Sequence, residues 1–158
     1  MSPSQVLFLA FLMGVVAGLR AMSAPAVVAW AAHRNWLNLH NSALSFMGST
    51  AAVVVFTLLA LVELVADQLP STPRRTDPPG LIARIILGGL SGAAVGAAAS
   101  QSTALGAVLG MAGGVVGAFA GYEVRTRLVR AFKVPDFVIA CLEDVVAIGG
   151  GILIVSRF

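Results

Sequence analysis

"RIILGGLSGAAVGAAASQSTALGAVLGMAGGVVGAFAG", residues 84–121, holds most of the information about how this chain folds. Gly88, Gly92 and Gly96 recur at intervals of four, as do Gly106, Gly110 and Gly114; Gly117 and Gly121 follow at the same interval. An α-helix turns once in about 3.6 residues, so each set lies along one helix face. Aligned small residues let two helix backbones approach closely, which is how helices associate where lipid removes the hydrophobic driving force. "SQST" (100–103) leaves room only for a tight connection. The stretch therefore predicts two spanning helices, over 80–99 and 104–122, packed as an antiparallel hairpin. "GVVAG" (14–18) offers a third face of the same kind.

The rest of the chain agrees with a membrane setting. Its 158 residues are 58% hydrophobic and 11% charged, with mean hydropathy +0.94, against about 25% charge in a soluble domain. Apolar runs also cover 5–22, 43–66 and 137–156, each near the ~20 residues that cross a bilayer. None alternates as barrel strands do. The fold expected is all-α, a polytopic transmembrane helical bundle of about five spans in one domain, residues 1–158. The fourth helix continues through "EVRTRLVRAFK" (123–133), and Pro135 ends it. In the loop "DQLPSTPRRTDPP" (67–79), Pro70, Pro73, Pro78 and Pro79 forbid helix. "PAVVAWAAHRNW" (25–36) is too short to cross alone. It reads as a kinked continuation of the first span, a re-entrant piece, or an interfacial helix with Trp30 and Trp36 among the headgroups.

Charge orders the spans. Arg74, Arg75, Arg125, Arg127, Arg130 and Lys133 fall on one side, and Arg34, Arg157 and Arg20 on the other. The positive-inside bias makes the first side cytoplasmic, with the N-terminus inside and the C-terminus outside. No Lys or Arg precedes the apolar residues 6–16, so they read as a retained helix rather than a signal peptide. Net charge is +3, but helices in lipid leave no basic surface, so no nucleic-acid partner is expected. Cys141 is the only cysteine; it excludes an internal disulfide and reads as a small buried residue. His33 and His40 read as surface residues rather than ligands.

The polar groups within the apolar segments carry the functional question. Glu63 and Asp67 stand one turn apart at the close of the second span. Glu63 and Arg84 lie ~6 Å inside the cytoplasmic edge, and Glu143 and Asp144 roughly 9–10 Å, at 1.5 Å per residue. Arg84 shares the face of Gly88, and Glu143 that of Ala147 and Gly150. The expectation is one buried cluster of Glu63, Asp67, Glu143 and Asp144, partly neutralised by Arg84, with Arg125 or Arg127 as further cations. Arg20 reads as lying near the outer end; it joins the cluster if "SAP" (23–25) is a break within the membrane. Four carboxylates then face one buried arginine, so the surplus must be protonated, solvated or balanced by a cation. If a metal binds, these four carboxylates are its ligands, and oxygen donors suit Na⁺, Mg²⁺ or Ca²⁺. The alternative is a salt-bridge network that fixes helix register. HExxH, GxSxG and P-loop motifs are absent, and no cofactor is expected.

"GLRA" (18–21), "ELVADQLP" (63–70) and "LEDVV" (142–146) resemble, in order and spacing, the bacterial integral-membrane family catalogued as domain of unknown function 4126. The likeness covers nearly the whole chain. It implies recurrent polar positions at Arg20, Glu63, Asp67, Glu143 and Asp144, and a bacterial inner-membrane location; it implies no activity. The expected function is a transporter or channel-like protein for a small cation or proton-coupled solute, working in the lipid bilayer as a homo-oligomer. The alternatives are a membrane scaffold with a structural ion-pair network, and a metal-dependent enzyme acting on lipid headgroups.

Overall fold

A computed structural model describes residues 1–67 and 76–158. Pro70, Pro73, Arg74 and Arg75, which the sequence placed in a helix-free basic loop, lie outside the described residues. The described residues are helical and contain no strand. They form α1 (Pro3–Leu19), α2 (Ser23–His33), a single 3-10 turn (Ser45–Gly48), α3 (Thr50–Ala66), α4 (Pro78–Ala98), α5 (Thr103–Phe132) and α6 (Asp136–Val155).

Local chemistry sets most of the ends. The Ser2 hydroxyl accepts the N–H of Gln5, and the Gln5 side chain accepts the Ser2 N–H, a reciprocal cap that starts α1. Ser49 caps α3 through the Ala52 N–H, and Ser102 caps α5 through that of Leu105. The cap at Ser49 is why α3 begins well after residue 43. Pro78 and Pro79 open α4, where their missing N–H groups cost nothing. Asn35, Ser100 and Lys133 take left-handed backbone just past α2, α4 and α5, the conformation that closes many helices.

Packing inverts the soluble pattern. Gly88, Gly92 and Gly96 on α4 face Gly106, Gly110 and Gly114 on α5. A methyl group at Gly88 would stand 2.6 Å from the Gly110 carbonyl oxygen, and one at Gly106 2.5 Å from that of Gly92. Gly113 and Gly117 give α5 a second face, set against Phe11, Val15 and Gly18 of α1. Here backbone touches backbone, so α1, α4 and α5 form a tight three-helix core. The large apolar side chains point outward: Val54, Leu58 and Val62 on α3, Ile82 and Ile86 on α4, Val145 and Leu153 on α6. Small inside and large apolar outside suits a lipid surround. The helices α4, α5 and α6 are long and apolar enough to cross a bilayer; α1 and α3, at 17 residues each, are shorter.

The five alternating spans expected from composition do not describe this arrangement. α1 runs parallel to α5, since Gly14 meets Gly110 and Gly18 meets Gly114. α2 then turns back, with Trp30 bonded to Thr57 and His33 to the Gly48 carbonyl, so it lies antiparallel to α3. Most of α2 is buried, including Ala24, Pro25, Val28 and Ala29, so it folds back into the bundle and does not continue α1. Pro25 is accommodated because it sits in the first turn. α6 runs antiparallel to α1, with Gly150 beside Val16 and Asp144 beside Arg20. Both chain ends consequently lie at one end of the bundle, where the sequence had set them at opposite ends. The basic tail of α5 (Arg125, Arg127, Arg130, Lys133) lies at the other. Cys141, expected to be buried, is exposed on α6.

Gly110→Leu should lower the thermal unfolding temperature in detergent markedly, because overpacking costs about 1–3 kcal/mol even where side chains can shift, and here the obstacle is backbone. Gly149→Leu, at a position with nothing within 4 Å, should leave melting unchanged. Equal melting of both variants would contradict the close α4–α5 contact.

Candidate functional site

The turn between α1 and α2 forms the tip of a helical hairpin, and five charged residues gather on it. Leu19 ends α1 and Ser23 begins α2, leaving Arg20, Ala21 and Met22 between. A broken helix exposes unsatisfied carbonyls on one side of the break and unsatisfied N–H groups on the other. Both sets are met. Glu63 Oε1 accepts the Ala21 N–H at 2.7 Å and Oε2 that of Met22 at 2.8 Å. Arg84 donates from Nε to the Gly18 carbonyl at 3.1 Å and from Nη1 to the Gly80 carbonyl at 3.0 Å. Its Nη2 lies 3.8 Å from Glu63 Oε1, which couples the two caps.

Arg20 itself has no exposed surface. Its Nη1 donates to Asp67 Oδ2 at the end of α3. Its Nε lies 2.5 Å from Asp144 Oδ1 on α6, a charge contact without hydrogen-bond alignment. One guanidinium thus joins the hairpin tip to two other helices, with both carboxylates largely buried. Its Nη2 and the nearby Ser23 hydroxyl are buried without a partner among the described residues.

Of the six residues expected to form one site, five converge: Arg20, Glu63, Asp67, Arg84 and Asp144. Arg20 takes the deeper of its two expected positions, because α2 folds back and carries the break into the bundle. Glu143 separates from its neighbour Asp144. Successive helical residues point about 100° apart, and Glu143 turns to Arg125, 3.6 Å away. Arg125 also pairs with both oxygens of Asp136, a partner the sequence reading missed. For the Arg125–Glu143 pair the signal was available: each stands nine residues from Val134 (134 − 125 and 143 − 134), across the reversal that Pro135 imposes. Arg127 pairs instead with Glu123 on the exposed face of α5.

The four carboxylates offered as metal ligands therefore do not form a common set. Among the described residues no group of three His, Cys, Asp or Glu could hold a metal ion. His33 donates to the Gly48 carbonyl and His40 contacts Asn35, both in the segments around the 3-10 turn.

Above the ion pairs lies a cavity of about 360 Å³ between α2, α3 and α6. Ser23, Val27 and Trp30 line it from α2, Leu64 from α3, and Ile148 and Ile152 from α6. Asp67 ends one of its walls and Asp144 belongs to the other, so Arg20 ties the two walls together at one end.

A family model matches residues 7–156, and the chain belongs to that family, described as domain of unknown function (DUF4126). No curated protein and no solved structure matches it.

Arg20→Ala should be the most damaging single change at the tip. It leaves Asp67 and Asp144 without their shared cation, and breaking a buried pair costs about 3–5 kcal/mol. Arg127→Ala removes only an exposed i,i+4 pair, whose contribution solvent reduces to a few tenths of a kcal/mol. Denaturation in mild detergent should separate the two clearly; equal stability would show that Arg20 holds nothing together.

Proposed function

We propose that this protein is a small proton-coupled membrane carrier in which the Arg20 ion pairs form a gate. The observation that carries the reading is that one buried guanidinium bridges Asp67 and Asp144, on the two helices that wall the cavity. Neutralising either carboxylate with a proton removes one arm of the bridge. α3 is the wall free to respond, since it packs chiefly against α2 and the 3-10 turn and fully buries a single residue, Val53. A broken helix pair whose ends meet polar groups inside the bundle is also the usual construction of a carrier site.

A bare-cation pathway draws less support, because Asp67 and Asp144 each face an arginine and Glu63 already accepts two N–H groups. One observation favours a static scaffold instead: Glu63 and Arg84 satisfy the broken backbone and serve the fold whether or not anything moves. The headgroup-enzyme reading lacks a common ligand set among the described residues. The glycine faces argue no further for a homo-oligomer, as their neighbours lie within the chain.

The setting we propose is a bacterial inner membrane, with the α5 tail in the cytoplasm by the positive-inside bias and both termini outside. Reporter fusions at the two ends should give the same, periplasmic, readout; opposite readouts would reject this orientation.

Movement of the gate is measurable directly. Spin labels at Leu64→Cys and Ile148→Cys, with Cys141→Ala, report the distance between the cavity walls. Lowering pH, or Asp67→Asn, should shift the distribution to longer separations in proteoliposomes. An unchanged distribution under both would favour the scaffold.

A further inference from the structure

The cavity between α3 and α6 has the dimensions and polarity of a site for one lipid chain. Along α2 its lining runs from Ser23 to Arg34, which at 1.5 Å per residue is ~16 Å. One leaflet of a bilayer's hydrocarbon is ~15 Å deep. The walls between these ends are apolar: Val27, Leu61, Leu64, Ile148 and Ile152. Two of the helices that wall the cavity present large apolar side chains outward, Leu58 and Val62 on α3 and Val145 and Leu153 on α6. A chain can therefore enter sideways from the bilayer.

The two ends differ. Ser23 closes the inner end beside the Arg20 bridge. At the other, the Arg34 guanidinium sits 5.6 Å from the centre of the Trp30 ring, and Trp36 also lines the cavity. The indole N–H of Trp30 is held by Thr57, which fixes the ring beneath the cation. Arg34 is exposed and has no carboxylate partner among the described residues. An apolar channel one leaflet deep, ending in an arginine held over Trp30 with Trp36 also in the lining, matches an amphiphile with one buried chain and a negative head. Guanidinium pairs with phosphate in a bidentate fork, and tryptophan settles at headgroup level.

We infer that this cavity seats one acyl chain of an anionic phospholipid drawn from the surrounding bilayer, with the headgroup phosphate on Arg34. The inference rests on the same cavity as the proposed carrier but not on any movement of the gate.

Quenching of Trp30 by brominated lipid tests it. The protein carries two tryptophans, so Trp36→Phe leaves Trp30 as the single probe. In proteoliposomes of neutral lipid, brominated phosphatidylglycerol should quench Trp30 at a several-fold lower mole fraction than brominated phosphatidylcholine. Arg34→Gln should erase that preference, and Arg34→Lys, which keeps the charge, should retain most of it. Ala60→Phe, which fills the cavity, should reduce quenching by the anionic lipid to the level of the neutral one. Equal quenching by both lipids in the parent, or a preference that survives Arg34→Gln, overturns the inference. Gate movement plays no part in this readout, so a lipid preference with no wall movement would reject the carrier and keep the lipid site.

Discussion

A guanidinium cannot give up its charge inside a protein, so a chain that buries one must bring carboxylates or carbonyls to it. Arg20 is buried completely, at the point where a helix breaks and doubles back. Asp67 comes to it from the end of α3 and Asp144 from two turns inside α6. Those pairings set the levels of both helices relative to the hairpin tip. Glu63 and Arg84 complete the arrangement by taking up the N–H and C=O groups that the break leaves open. Arg20, Glu63, Asp67, Arg84 and Asp144 are thus organised around one discontinuity, and the cavity lined by α2, α3 and α6 begins beside it at Ser23.

The other organising fact is the close backbone contact that glycines allow between α5 and its neighbours α1 and α4. In lipid, large apolar residues gain nothing by turning inward, whereas close backbone approach gains dispersion along the whole contact. Glycine at every fourth position allows that approach. α5 uses two such faces, one for α4 and one for α1. This rigid core contrasts with α3, which touches little beyond α2 and the 3-10 turn. A firm three-helix unit beside a loosely packed helix is a division of labour suited to a moving part.

Much of this is legible in the order of residues. The α4–α5 hairpin follows from glycine spacing, and several helix ends fall within two residues of the bounds read from the apolar runs. Glu63, Asp67, Asp144 and Arg84 are recognisable as one group because depth along a helix is fixed by residue count. Arg20 is legible only as an alternative. Its position depends on whether the short segment after it leaves the bundle or returns, and a helix built largely of alanine and valine suits either course. Glu143 is grouped wrongly by depth for a plainer reason: equal depth does not imply equal direction, and a single residue step rotates a side chain to another neighbour. Cys141 fails in the same way, since its face of α6 turns outward.

The sequence by itself determined that the chain is helical, that its helices suit lipid, which faces pack closely, and which charges must be shielded. These are local properties: they depend on composition, on a helical period of about 3.6 residues and on distance along one helix. The tertiary structure alone decided that α1 runs parallel to α5, that both chain ends share one end of the bundle, and that Arg20 rather than Arg84 is the charge between two carboxylates. Those are relations between helices that no helix encodes alone. They were settled where one break could be met from three other helices at once, its backbone by Glu63 and Arg84 and its arginine by Asp67 and Asp144.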